Sequence, residues 1–231
     1  MVEELNLQKA TVDREASYRL IPSKFPPIAL FDDVADKAEF EALFELQRRT
    51  NPRLLARAGN LGLIDPEQIP IGIQGCSYAV APFTHVNPDG SRFSDGSFGV
   101  LYVANAMKTA VAEVSYHQQQ YWQGVEGLAF DRFVFRGLRC AFKETLHEAT
   151  ELDRTHPVHD PNDYQVSQQW GCTLRHNGSA GLAYWSVRAP GEVCWALFSP
   201  RGVREVIQQA HYEMVWDGQQ ICSVNRLSQA T

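Results

Sequence analysis

The sequence predicts one α+β domain with several strands on a curved sheet. Three observations carry that reading. Runs of strand character alternate with runs of helical spacing along the chain. Two turn signals, Pro190-Gly191 and Asp217-Gly218, each separate apolar runs in the manner of hairpins. No internal repeat, low-complexity tract or clear linker interrupts the 231 residues, a length that one large domain or two small ones can use. Hydrophobic residues at 44% and charged residues at 21% match globular proteins, which argues against disorder over most of the length.

The elements follow in order. Residues 1–16 read as a polar arm or a short frayed helix, and 17–231 as the domain proper. Tyr18–Ile21 is strand-like and is stopped by Pro22. Beyond a Pro26-Pro27 loop, Asp33–Arg49 has helical spacing, with Val34, Phe40, Leu43, Phe44 and Gln47 in register and Glu and Lys on the other face. Asn51-Pro52 ends it, because the residue before proline avoids the helical region. Pro66–Gly99 is rich in Pro, Gly, Asn and Asp, and Asn87–Gly99 is a long loop by composition. Loops of that length inside compact domains are often functional. Val100–Ala104 is a buried strand. A helix runs from Met107 to Gln119, with Asn105 as its expected cap. Leu128–Phe135 alternates as a strand, and His147–Asp163 is polar and loop-like. Tyr164–His176 is a helix closed by Asn177-Gly178, a left-handed cap. Leu182–Val187, Val193–Phe198, Tyr212–Trp216 and Gln220–Val224 complete the strands.

The formal charge of −6, with no cluster of Lys and Arg, gives no basic face for nucleic acid. Five cysteines without a C-x-x-C pair argue against a zinc site or a disulfide framework and suit a reducing cytoplasm. The acidic, polar opening has no signal-peptide pattern, and no apolar run approaches the ~18–20 residues of a membrane span. A soluble cytoplasmic protein is expected, with no metal.

Four features can carry chemistry. Arg19, in the strand Tyr18–Ile21, reads equally as an edge residue in water or as a guanidinium aimed into a cleft. Arg92 lies in the Gly-rich loop, where close backbone and turned-in N–H groups suit a phosphate. Tyr102 is mid-strand. Glu113 lies at the boundary of an apolar helical stripe that contains Val111 and Val114. It is either an exposed helix residue or a carboxylate held against an apolar wall, with His117 one turn on as a possible hydrogen-bond partner. Ser186 ends a strand before the Pro-Gly turn, either as a backbone cap or as an active-site hydroxyl. It is not in G-x-S-x-G. His156 and His159 resemble a metal pair only loosely, since Pro157 breaks the spacing. No Walker loop or Rossmann fingerprint is present.

Together these stretches resemble the RES domain, a family named for its Arg, Glu and Ser. The resemblance runs from about Tyr18 to Arg201. It is carried by Y-R-L at Tyr18–Leu20, R-F-S-D-G-S-F-G-V-L-Y-V-A at Arg92–Ala104, T-A-V-A-E-V at Thr109–Val114 and G-L-A-Y-W-S-V-R at Gly181–Arg188. Arg92, Tyr102 and Glu113 fall ten and eleven residues apart, as in the family. Phe93 stands where the family often has Trp. The segment His147–Asp163 and the helix near residue 40 place this chain among the longer members.

The resemblance implies a split mixed or antiparallel sheet flanked by helices, similar to the ADP-ribosyltransferase toxin fold. It implies a toxin of a toxin–antitoxin pair that cleaves NAD⁺ at the nicotinamide–ribose bond. NAD⁺ is then a consumed substrate, with inorganic phosphate as co-substrate if the cleavage is phosphorolysis. Alternatives are a protein ADP-ribosyltransferase and a non-catalytic nucleotide-binding module. The implied partner is a helix-turn-helix antitoxin that covers the cleft. In the implied site Glu113 stabilises charge on the ribose, Arg19 and Arg92 hold pyrophosphate or phosphate, and Tyr102 stacks on nicotinamide or ribose. Ser186 orients the nicotinamide ribose. Arg188, two residues after Ser186, is a candidate second guanidinium for phosphate.

Overall fold

A computed structural model describes residues 7–24 and 59–227. The helix expected over Asp33–Arg49 lies outside the described residues. Within them, seven strands form one mixed sheet: β1 (Lys9–Pro22), β2 (Leu101–Ala104), β3 (Asp131–Glu148), β4 (Gly181–Trp185), β5 (Val193–Leu197), β6 (Val203–Trp216) and β7 (Ile221–Leu227). Three helices accompany them: α1 (Cys76–Thr84), α2 (Met107–Gln123) and α3 (Gln165–His176). The chain is an α+β domain, as its sequence predicts.

The strand order is β1-β2-β5-β4-β3-β6-β7, and β1 also pairs with β3. The first five strands therefore close into a ring. All pairings are antiparallel except β3 with β4, which meet in parallel only at His147↔Leu182 and Glu148↔Ala183. The split follows from the length of β3. Its first part carries β6 on one edge, from Asp131↔Trp216 to Phe142↔Val203. Its last residues leave β6 and join β4 instead. At the other closure, β1 touches β2 only through Tyr18↔Ala104.

Several expectations change in extent. β1 begins at Lys9, so residues 9–16 form a strand and not an arm or helix. They pair with β3 from Lys9↔His147 onward, with a bulge between Arg14 and Ser17. Most of their side chains stay in water, which is why this strand reads as polar. β3 and β6 are 18 and 14 residues long, far beyond the expected segments, because they form one long ribbon with β1. α1 falls inside the stretch rich in Pro and Gly. Its side chains are buried nearly all round and it contains Pro82, so no amphipathic stripe marks it. α2 continues to Gln123, and its N-cap is Ala106. Asn105 is not the cap. Its side chain accepts the Thr109 hydroxyl and donates to Glu192. Gly178, at φ +71°, takes the left-handed turn that closes α3. The loop at Asn87–Gly99 contains no named strand or helix.

Three apolar clusters fill the layers. One lies between α1 and the strands, around Val80, Phe83, Phe142, Leu197 and Val206. The second holds Phe93, Leu182, Tyr184 and Phe198. The third joins α2 to the long ribbon through Trp122, Phe135, Met214 and Trp216, with Val111 and Val114 against it. Trp122 stacks on Phe133 at 4.0 Å between ring centroids. This packing fixes the rotation of α2, and therefore the direction of Glu113. Among the described residues no helix is long and apolar enough to cross a membrane.

Candidate active site

A cleft of about 430 Å³ opens between β1, the Asn87–Gly99 loop, α2 and the start of α3. Arg19, Arg92, Tyr102 and Glu113 all line it. Ser186 stands behind Glu113 and touches it directly. All five residues singled out in the sequence therefore converge, although they come from three strands or strand ends, one loop and one helix.

Ser186 is buried, just past the end of β4. Its Oγ accepts the Arg188 N–H at 3.3 Å and the Ala189 N–H at 3.0 Å. Its own proton goes to Glu113 Oε1 at 2.5 Å. With the lone pairs engaged by backbone donors, the hydroxyl can only donate toward Glu113. That polarity makes Glu113 an acceptor and holds its carboxylate in one orientation. Ser186 thus has no free hydroxyl for attack on a substrate. His117 lines the cleft without a hydrogen bond to Glu113 among the described residues. Its ring lies edge-on to Tyr116 and Tyr164. Desolvation lowers the His117 pKa, with Arg188 and Arg92 adding in the same direction and Glu113 opposing. Imidazole there is disposed to be neutral.

Tyr102 is mid-strand in β2, as its sequence position suggests, and lines the cleft. Its hydroxyl accepts the Phe93 N–H at 2.9 Å and shares a hydrogen bond with Ser91 Oγ at 2.8 Å. Burial pushes its pKa up to about 12, so it stays a phenol. The hydroxyl pins the residues on both sides of Arg92, while the ring remains part of the cleft wall. Gln168 on α3 adds a bond to Ser91 O at 3.0 Å. Gly171 lets α3 press onto this segment. A Cβ there would lie 1.9 Å from Phe93 O, so any other residue would force the helix away. Phe93 is fully buried and packs edge-on against Tyr184 at 4.9 Å.

Of the two expected anion binders Arg92 is buried and Arg19 half-buried, and neither has a carboxylate partner among the described residues. Arg92 donates to Asp160 O at 2.8 Å and lies over the Tyr164 ring at 4.4 Å. Its Nη2 is buried with no hydrogen-bond partner. Among the described residues Arg19 makes a long contact, 3.5 Å, to Tyr102 O, and burial lowers its pKa. Arg188 stacks on Tyr116 at 3.2 Å and donates to Pro161 O, and its Nε is also buried and unpartnered. Residues 157–163 thus form a strap held by Arg92, Arg188 and the bond from Tyr116 to Asn162. The sequence marked this segment only as polar, since what anchors it are backbone carbonyls. Tyr164, Gln168 and Tyr184 were not singled out either. Nothing in their spacing distinguishes them from ordinary helix and core residues. Among the described residues no group of three His, Cys, Asp or Glu could hold a metal. His159 is buried and bonds Ala149 O at 3.2 Å.

A model of the RES domain matches residues 69–217. The chain belongs to the RES domain family. The matched range holds Arg92, Tyr102, Glu113 and Ser186. Arg19 precedes it, yet β1 delivers Arg19 to the same cleft. This RES protein is 29% identical over 211 residues to the uncharacterised protein y4oC of Sinorhizobium fredii (strain NBRC 101917 / NGR234), covering 90% of this chain and 86% of that one. Among solved structures it is similar to a chain of the M. tuberculosis MbcT–MbcA toxin–antitoxin complex. The TM-score is 0.40 and the identity 9%, over 86% of each chain.

Proposed function

We propose that this RES domain cleaves NAD⁺ at the nicotinamide–ribose bond and passes the ADP-ribose to inorganic phosphate. The observation that carries the reading is the Ser186-held carboxylate of Glu113, facing the same cleft as Arg19 and Arg92. As nicotinamide leaves with the bonding pair, positive charge builds on the ribose, as in glycoside cleavage. A fixed carboxylate stabilises that charge because it need not reorganise as the charge develops. Arg19 and Arg92 bind the pyrophosphate through planar donor forks. The ring of Tyr102 lies along the wall where nicotinamide or its ribose would stack. A phosphate oxygen then bonds to the anomeric carbon, giving ADP-ribose-1″-phosphate and neutral nicotinamide. The buried, unpartnered Nη2 of Arg92, a residue of the cleft wall, supports an anion subsite for that phosphate.

The biological role in this reading is that of a toxin held in check by an antitoxin of helix-turn-helix type, a cytoplasmic pair. That part rests on family analogy alone. Expression of this chain without its genomic neighbour should deplete cellular NAD⁺ and arrest growth.

Incubation of the pure protein with NAD⁺ and phosphate, with mass spectrometry of the products, tests the chemistry. ADP-ribose-1″-phosphate formed only when phosphate is present is the expected result. A labelled acceptor protein would make the chain an ADP-ribosyltransferase. Binding of NAD⁺ with no nicotinamide release would make it a nucleotide-binding module.

A further inference from the structure

Glu192, in the turn between β4 and β5, is bonded to both sides of the Glu113–Ser186 contact. Its backbone carbonyl accepts the Ser186 N–H at 2.9 Å. Its side chain reaches across to the start of α2. Oε2 accepts from Asn105 Nδ2 at 2.7 Å, and Oε1 pairs with Lys108 Nζ at 2.5 Å. Asn105 in turn accepts the Thr109 hydroxyl at 3.2 Å, and its backbone N–H meets Val193 O at 3.0 Å. The Ser186 turn, the end of β2 and the first turn of α2 are therefore joined through one residue.

The geometry of α2 makes this junction consequential. The helix has no side-chain cap of its own, and a carboxylate beside its N-terminus is electrostatically favourable. Lys108 is 75% exposed against 23% for Glu192, so the ion pair is the weaker link and the Asn105 bond the stronger. Glu113 lies little more than one turn beyond Lys108. Whatever fixes the first turn therefore fixes the approach of Glu113 to Ser186.

We propose that Glu192 is a positioning residue: it ties the Ser186 turn to the first turn of α2 and so sets the 2.5 Å contact that orients the Glu113 carboxylate. Misplacement of a reacting group by a fraction of an ångström is enough to lower turnover severalfold or more. The kinetic readout of this proposal rests on the NAD⁺-cleavage reading, so the unmodified protein is assayed first, and that arm alone decides that reading.

Glu192→Ala is then expected to lower kcat about tenfold with KM within about twofold. Glu192→Gln keeps an oxygen that accepts from Asn105 and should recover most of the loss. Amide hydrogen exchange needs no turnover. In Glu192→Ala the N–H groups of Ser186, Arg188 and Ala189 should exchange faster while the ladder between β3 and β6 keeps its protection. If Glu192→Ala does not fold, Glu192→Asp, one methylene shorter, carries both measurements. Unchanged exchange at these three amides overturns the proposal, with or without NAD⁺ turnover. So does an equal loss of kcat in the Gln and Ala variants, or a rise in KM that accounts for the loss.

Discussion

The two walls of the cleft are built on opposite terms. On the α2 wall, Ser186 Oγ makes three hydrogen bonds, two from backbone N–H groups and one to Glu113. On the wall formed by the Asn87–Gly99 loop and residues 157–163, Arg92 Nη2 is buried without a partner among the described residues. An unmet buried donor costs about 1–3 kcal/mol. An anion that bonds to it removes that cost. One wall is therefore set before a substrate arrives, and the other is completed by the substrate. The first suits stabilisation of charge as it develops, and the second suits ground-state binding.

The sharpest way to break this contrast is Glu113→Gln, which keeps size and removes charge. Turnover should fall by at least ~10²-fold while NAD⁺ binding by calorimetry largely survives. A fully active variant would return Glu113 to an ordinary helix surface. Ser186→Ala should have a smaller effect. It leaves the Arg188 and Ala189 N–H groups without their acceptor, and kcat should drop about tenfold with a stability loss of about 1–3 kcal/mol in urea unfolding. A rise in KM alone would contradict the assignment of Ser186 to the preset wall. Arg92→Lys tests the other wall. It keeps a positive charge and loses the planar fork. KM for NAD⁺ should rise about fivefold with kcat nearly constant. A fall in kcat at constant KM would move Arg92 across the cleft.

The smallest effect concerns the strap. Burial lowers the pKa of His159 from its ordinary 6.5, and its Nδ1 is buried with no partner. A depressed histidine favours the neutral folded form, so its contribution is present above pH about 6.5 and is lost as pH falls through the folded value. His147 is shifted in the same direction by burial. Thermal unfolding should show Tm falling from pH 7 to pH 5, and His159→Gln should flatten that fall. A slope unchanged by the substitution would show that proton uptake at His159 does not weaken the fold.

The site was more legible in the sequence than the strand lengths were. Taken singly, Arg92, Glu113 and Ser186 read as readily as loop, surface or capping residues, and it is the resemblance to the RES domain, through order and spacing, that joins them with Tyr102. The role of Tyr102 was not legible, because a hydroxyl that pins a loop and one that faces a ligand look alike in a strand. Most of β3 and β6 went unread for a physical reason. β3 is buried on both faces through 135–138 and 140–142 and its register is bulged, so it lacks sustained alternation over 18 residues. α1 failed for a related reason, since a helix buried on most sides has no polar face to set its period. The strap could not be found from side-chain types at all, since Arg92 and Arg188 hold it by its carbonyls.

The pairing of β1 with β3, beginning at Lys9↔His147, has a consequence for how the protein is made. A ribosome adds roughly 5–20 residues per second, so β1 waits on the order of ten seconds for its ladder partner. Arg19, Arg92 and Glu113 have all emerged before Ser186 does. A nascent chain therefore carries both guanidiniums and the carboxylate without the hydroxyl that aims the carboxylate. Whatever the cleft does to its substrate therefore waits until Ser186 and the Glu192 turn have left the ribosome.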